Sequence, residues 1–520
     1  MVAVQGTDKQ GPIESICIVG GGTAGWMTAA ALCSKLQGLP VSIRLVESEE
    51  IGTVGVGEAT LPHIRAFNNS LGISERELMQ TTEATFKLGI EFCDWGKIGD
   101  RYIHPFGDYG PAIEGVPFYH YWLKLRSEGV NGAGRLDDYS YGVSAAEHYR
   151  FRYPAKDPAA VESTFGYAYQ FDASLYAKFL RRFSEQRGIL RTEGKIASTA
   201  LDPNTGFVQS VTLESGEAIE ADLFIDCSGF RGLLIEQALQ TGYDDWSRWL
   251  PCNRAIALPT ESRGAIGPFT RATARQSGWQ WRIPLQHRVG NGHVYCSDFI
   301  SDEEAERVLL DNLDAPALKG PNRLRFTTGR RKLLWNKNVV AVGLSGGFLE
   351  PLESTSIHLI QDGITELIQI FPDKSFNQDD IDEYNRRMEL HFERVRDFLL
   401  LHYVATQRDD SDFWRHFRSM TLPDSLQEKI SAWTERGTII AYEHGLFLPP
   451  SWIAVMMGQN LMPRGYDRRA DALPTDVIAR NAAAIRANVA AAVAATPTHE
   501  DFIRKSGVAA TLGNVDATAV

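Results

Sequence analysis

At 520 residues, with 43% hydrophobic content, 11 Trp and 25 Phe, the chain is long enough for about two to four domains with large cores. A net charge of −12 argues against a nucleic-acid or anionic-membrane surface, and no apolar run approaches the roughly 20 residues that span a bilayer. The opening MVAVQGTDKQGPIES lacks a basic-then-apolar signal pattern, so a cytoplasmic protein is expected. The six cysteines (Cys17, Cys33, Cys93, Cys227, Cys252, Cys296) are scattered, with no CxxC and no His/Cys cluster. They read as small buried hydrophobes, and no metal site is expected.

The first element is a short apolar strand, Ile16-Cys17-Ile18-Val19, followed by GGGTAG (Gly20–Gly25) and a helix-forming run from Trp26 to Leu36. Gly20, Gly22 and Gly25 have GxGxxG spacing. The second strand, Val41–Val46, ends in Glu47, 22 positions after Gly25, where an acid for a ribose 2′-OH is expected. GxGxxG alone is weak, but strand, helix and acid together predict a dinucleotide containing ADP. Gly20, Gly22, Thr23, Ala24, Gly25 and Glu47 are its candidate contacts. The glycine-rich stretch 51–60, IGTVGVGEAT, gives backbone that can pass close to a flat ligand, although a plain loop is the alternative.

In Ala84–Ile90, ATFKLGI, Lys87 interrupts an apolar run; a solvated lysine at a strand edge is the commoner explanation on its own. Residues 206–226 alternate around a Ser-Gly turn and end in Asp226-Cys227-Ser228-Gly229. By analogy with FAD oxidoreductases of the hydroxylase type, this meander is a second cofactor element that includes Asp226. The segment Gly278–Pro284, GWQWRIP, places Trp279 and Trp281 on one face of a strand, an apolar wall the size of an indole. For a lone WxW, ordinary core packing is the favoured explanation.

Val339–Gly343 reads as a third buried strand, and Ile357, Ile360, Ile364, Leu367, Ile368 and Phe371 recur at helical spacing after it. Between them lies GGFLEPLESTSIHLI (346–360). Ser354 and Thr355 are good N-caps, which makes the helix start a ready anion site beside Glu353. Glu353 as a simple cap is the bland alternative. The dinucleotide domain is thus discontinuous. From Asp379 onward a helical face (Ile381, Tyr384, Met388, Val395, Leu399, His402) runs among charges, and the Ala-rich stretch 481–495 reads as a surface helix. A second GxGxxG is missing from the sequence, which hints that reduced flavin comes from another protein.

Taken together, the chain resembles the flavin-dependent halogenases typified by the tryptophan halogenases. The resemblance rests on GGGTAG (20–25), ATFKLGI (84–90), His104-Pro105-Phe106-Gly107, GWQWRIP (278–284) and FLEPLESTSI (348–357). It implies an α/β chain: an FAD-binding GxGxxG dinucleotide fold of the aromatic-hydroxylase type with an interleaved β-sheet substrate region, plus an α-helical C-terminal module. The expected boundaries are 12–372 for the FAD-binding halogenase module. Its FAD elements are at about 14–95, 190–235 and 336–372, and its substrate-facing parts at about 96–189 and 236–335. Residues 373–520 form the helical module that completes the substrate site.

The resemblance also implies chemistry: reduced FAD, O2 and chloride or bromide give, through a flavin hydroperoxide, hypohalous acid that Lys87 relays to an electron-rich aromatic. Glu353 stabilises the cationic ring and takes its proton. Backbone N–H groups of Thr355 and Ser356 hold the halide, Leu344 and Ile357 flank the flavin, and Ile196 lies near the adenine end. His104, Phe106, Trp279 and Trp281 sandwich the substrate. A separate NAD(P)H-dependent flavin reductase is the implied partner, and a homodimer is compatible with an enzyme of this size. Ser356 stands where tryptophan-specific members often have Gly, and Ala441–Phe447 is a poor match to the segment that holds free tryptophan, so an indole, a decorated indole or a larger aromatic is as good a candidate. A flavin aromatic monooxygenase and a non-catalytic flavin-binding sensor are the alternatives.

Overall fold

The computed structural model describes residues 11–51, 57–442 and 445–510. Positions 52–56 of the glycine-rich stretch, Glu443 and His444 of the 441–447 stretch, and both chain ends lie outside the described residues.

The sheet predicted from the first strands is present. Ser15–Val19 lies at its centre, flanked by Ser42–Glu47 and Leu223–Asp226. Leu190–Glu193 and Val339–Ala341 extend it in parallel, and Trp335–Asn336 closes one edge antiparallel. Its central strands read as unbroken apolar runs because helices cover them, as parallel sheets require. The helix Thr23–Lys35 packs on this sheet and against the helices Ala173–Glu185 and Ser356–Gln369.

That placement corrects one boundary. The sequence reading put 96–189 on the substrate side, yet Ala173–Glu185 is the crossover helix that leads into Leu190–Glu193. Asp172 accepts from the N–H groups of Ser174 and Leu175 to start it, and its stripe of Tyr176, Ala177, Leu180 and Phe183 is buried.

A second, seven-stranded sheet runs in the order 322–325, 254–260, 289–295, 278–284, 269–275, 89–93 and 101–105. Only Phe269–Arg275 against Gly89–Cys93 is parallel in it. A small antiparallel sheet has Ala168–Asp172 at its centre, Gly57–Ala59 on one side and Thr85–Lys87 on the other. Thr85–Lys87 is therefore an edge strand only three residues long.

The C-terminal region is helical as expected, with a 27-residue helix Gln378–Val404 whose Ile381, Tyr384, Met388, Val395, Leu399 and His402 are buried. It is not separately cored: one apolar cluster holds Ile16, Phe86, Phe398 and Ile503 alike. Asn385 ties the long helix to the first sheet by accepting from the N–H groups of Leu334 and Trp335 and donating to the carbonyl of Trp335. The Ala-rich stretch belongs to the helix Thr475–Ala494, which is long and apolar enough to cross a membrane by length and composition alone. Here it lies on the helices Phe118–Ser127 and Tyr141–Glu147, burying Ile478, Ala482, Val489 and Val493.

Candidate active site

A cavity of about 780 Å³ opens between the first sheet and the face of the seven-stranded one. Its floor is the turn after the first strand. Gly20 has φ +110°, and a Cβ there would stand 2.3 Å from the carbonyl oxygen of Cys227. At Gly25 a Cβ would meet the Gly20 carbonyl oxygen at 1.8 Å, so helix and turn touch backbone to backbone. Gly22 is different: a Cβ would meet nothing within 4 Å, because this position faces the open cavity. Two glycines close the turn and the middle one leaves room for a phosphate at the start of the helix.

Thr23, Ala24, Glu47, Ile196, Leu344 and Ile357 also line the cavity, so these sequence candidates converge on one space. Glu47 is already tied down: Trp26 Nε1 donates to its Oε2 at 3.2 Å and Arg191 Nε to its Oε1 at 2.5 Å. Asp226 is placed differently from the expectation of a cavity-facing acid. Its carboxylate is buried and turned back into the protein, accepting from Ser228 N and Oγ on one oxygen and from Leu234 N and Ile235 N on the other. It caps the helical turn Leu233–Ala238, and Ser228, Gly229 and Phe230 form the wall instead.

Trp279 and Trp281 share one face of Gly278–Pro284, their rings 6.1 Å apart, and both line this cavity. Gly292 on the neighbouring strand makes room for Trp281, since a Cβ there would lie 2.1 Å from the indole. His104 and Phe106 do not line the cavity; they sit around Lys87 and Glu353. The structure thus divides the four residues expected around one guest into a pair on the dinucleotide side and a pair beyond it.

That second centre is built from buried side chains and one backbone carbonyl. Lys87 is 0% exposed, and its Nζ donates to the carbonyl of Thr60 at 3.0 Å and to Ser354 Oγ at 2.9 Å. The third N–H has no acceptor among the described residues. Phe106 presents its ring 5.2 Å from the ammonium. Burial pulls the Lys87 pKa down to about 7, with Glu353 pulling weakly the other way. No direct ion pair joins the two.

Glu353 is instead clamped by two histidines from distant segments. His104 Nδ1 lies 2.9 and 3.0 Å from its two oxygens, and His402 Nε2 lies 2.8 Å from Oε1. Burial raises the carboxyl, but the two imidazoles outweigh it and hold the pKa down to about 2. His402 adds a constraint from its other nitrogen. Nδ1 sits 2.8 Å from the carbonyl oxygen of Phe398, which only accepts, so Nδ1 carries hydrogen. Its Nε2 faces the carboxylate at 2.8 Å without meeting hydrogen-bond geometry.

The expectation that Ser354 or Thr355 caps the following helix is corrected. Neither hydroxyl does so. Ser354 sits at φ +60° and accepts from Lys87, while the Thr355 hydroxyl is buried with no partner among the described residues. The helix Ser356–Gln369 thus begins with free N–H groups beside an orphaned hydroxyl, and Ser354 and Ser356 face the cavity.

Several site residues were not read as such from the sequence. Ser354 bridges cavity and lysine. Glu350, three residues before Glu353, is buried, and its Oε2 accepts from Trp279 Nε1 and Tyr403 Oη, both at 2.7 Å. Burial lifts it to about 7 against those two bonds. Its spacing in EPLE and the adjacency of His402 and Tyr403 were the available clues.

With this geometry in place, the comparisons are informative. The Tryptophan halogenase family profile matches residues 15–475. Tryptophan 6-halogenase SttH of Streptomyces toxytricini is 38% identical over 86% of this chain and 89% of its own length. BrvH, a flavin-dependent halogenase from Brevundimonas sp. BAL3, superposes with TM-score 0.91 at 47% identity, covering 95% of this chain and 99% of that one. Xcc4156, a flavin-dependent halogenase from Xanthomonas campestris, gives TM-score 0.91 at 46% identity over 95% and 98%. A glycine turn cut for a dinucleotide, a buried lysine behind it and a near full-length match agree: the chain belongs to the tryptophan halogenase family and is a flavin-dependent halogenase.

Proposed function

We propose that the chain halogenates an electron-rich aromatic of the indole class with chloride or bromide, using O2 and reduced FAD delivered by a separate NAD(P)H-dependent reductase. The observation that carries this reading is Lys87: fully buried, fixed by Thr60 and by Ser354, which lines the dinucleotide cavity, with no acceptor for its third N–H among the described residues.

Gly20, Gly22, Thr23 and Ala24 would hold the FAD pyrophosphate, Glu47 the ribose, Ile196 the adenine side, and Leu344 and Ile357 the ring system. Gly25 keeps the helix close enough for this. When bound, reduced FAD supplies the reducing equivalents that let O2 oxidise halide to hypohalous acid. The N–H groups of Thr355 and Ser356 would receive the halide, and the orphaned Thr355 hydroxyl supplies a further donor. Trp279 and Trp281 wall that side and limit the entry of water.

Lys87 then receives the oxidised halogen and presents it to the guest. With a pKa pulled to about 7, both charged and neutral amine are accessible near neutrality, so hydrogen bonding and haloamine formation are each open to it. Glu353 stabilises the cation that forms on the ring and takes its proton. The imidazoles of His104 and His402 are placed to share that charge. His104 and Phe106, with Phe398 and Phe447 at 5.6 and 6.2 Å from the His104 ring, form the aromatic surround of the guest.

The direct test combines the protein, FAD, NADH, a flavin reductase and bromide or chloride with a panel of indoles, read by halogen isotope patterns in mass spectrometry. Halide-independent oxygen insertion in place of halogenation would overturn the proposal.

A further inference from the structure

The last described helix, His499–Lys505, lies outside the span 15–475 that the family profile matches, yet it touches the strand that carries Lys87. We propose that His499 is a positioning residue for Lys87: it acts as the missing neighbour strand of Thr85–Lys87 and fixes where the ammonium points. This rests on the reading of Lys87 as the halogen relay.

Thr85–Lys87 pairs on one side with Ala168–Gln170, with Phe86 opposite Tyr169. On the open side the buried N–H of Phe86 has no strand to donate to. It donates to His499 Nε2 at 3.1 Å instead. The other ring nitrogen, Nδ1, donates to the carbonyl of Ile266 at 3.0 Å. One neutral tautomer satisfies both bonds. Burial holds this imidazole down to about 4, so the accepting lone pair persists near neutrality.

The histidine is anchored from its own side as well. Its backbone N–H donates to the Tyr149 carbonyl at 2.8 Å, and the neighbouring Glu500 accepts from Ile266 N at 2.7 Å. The Phe86 ring is stacked on Phe151 at 4.1 Å and meets Phe502 of the same helix edge-on at 5.5 Å. Successive side chains on a strand point to opposite faces. Fixing the backbone and ring of Phe86 therefore fixes the direction in which Lys87 leaves the strand, toward Thr60 and Ser354. On either side of this imidazole the segment is held by single bonds rather than by a ladder: Gln286 donates to the carbonyl of Ala84, and Leu88 N donates to the carbonyl of Pro268.

The test uses the full-length protein with FAD, reductase, bromide and indole. His499→Phe keeps a ring but removes both bonds. His499→Gln retains an acceptor that reaches the Phe86 side, and His499→Asn reaches only the Ile266 side. Lys87→Ala is the reference. The expected result is a loss of about tenfold or more in kcat for His499→Phe with KM changed by less than about twofold, in line with the cost of a misplaced reacting group. Escaped hypobromous acid, trapped by a halogen-accepting dye, rises in step, flavin affinity is unchanged, and His499→Gln recovers more turnover than His499→Asn.

If Lys87→Ala is inactive while His499→Phe turns over and leaks like the parent, the inference is overturned and the lysine assignment stands. If Lys87→Ala halogenates normally, the lysine assignment fails and takes this inference with it. Should His499→Phe not fold, equal kcat and equal leakage in the Gln and Asn variants would overturn the proposal.

Discussion

The two halves of the active centre are made by opposite means. The dinucleotide cavity is floored by backbone: a six-residue glycine turn, strand ends and a helix start, each a short contiguous segment. The Lys87–Glu353 centre is mostly side chain, assembled from the Thr60 carbonyl and the side chains of Lys87, His104, Glu353, Ser354 and His402 on five separate stretches of chain. A backbone-built site tolerates changes of side chain but not of Cβ; a side-chain-built site fails one group at a time. That contrast can be broken or sharpened by substitution.

The largest effect is expected at Lys87. Lys87→Ala removes the buried ammonium proposed as the halogen relay, and halogenated product should fall by about 10³-fold, while FAD binding, followed by flavin fluorescence, stays as in the parent. Equal loss of flavin affinity would show that the two halves are not separable. Glu353→Gln is next. It keeps the volume and an acceptor for His104 but removes the charge proposed to stabilise the cationic ring, so kcat should drop about 10²-fold with little change in KM. Steady-state rates on the best indole decide it.

On the cavity side the expected effects are smaller and differ between neighbours. Gly22→Ala places a methyl in open space, so the fold is kept and flavin affinity falls about tenfold, ~1.4 kcal/mol. Gly20→Ala forces a Cβ into the Cys227 carbonyl at φ +110°, and instability of about 1–3 kcal/mol from backbone strain alone should appear first. Flavin titration together with thermal melts separates the two cases; loss of stability in both variants would contradict the cradle assigned to Gly22.

The same contrast explains what could be read from the sequence. The glycine turn, the acid at Glu47, the meander and the EPLEST segment are local, and local patterns carry their own spacing. The strands and helices that hold them were legible for that reason, whereas Lys87 inside ATFKLGI reads on its own as a solvated lysine at a strand edge and is buried by packing. The partners of Glu353 were not: His104 and His402 lie 249 positions before it and 49 after it, and only packing of the long helix Gln378–Val404 brings the second one in. The grouping of Trp279 and Trp281 with His104 failed for a related reason. Strand alternation fixes which face a side chain occupies but not which of two neighbouring spaces that face borders. Asp226 was misread because a carboxylate at a strand end can turn outward to a ligand or inward to cap a turn, and the difference lies in the free N–H groups of Leu234 and Ile235.

The smallest effect tests the burial of Lys87 without any substrate. Its pKa is near 7 in the folded chain and 10.5 ordinarily, so between these values the unfolded chain binds more protons than the folded one. Stability therefore rises with pH across this window, and below about pH 7 both states are protonated and the full cost of burying the ammonium is felt. From pH 7 to 9 this group should add about 2 kcal/mol to the unfolding free energy. Lys87→Met, similar in length and apolar, should lack that increment and be the more stable protein at pH 7. Glu353 does not confuse the reading, since its pKa is lowered from 4.5 to about 2 and its contribution is lost only as pH falls through that lower range. Denaturant unfolding of the two proteins at pH 7 and pH 9 gives four numbers. Parallel pH dependences would mean that the lysine is hydrated in solution, and the buried relay would then lose its physical basis.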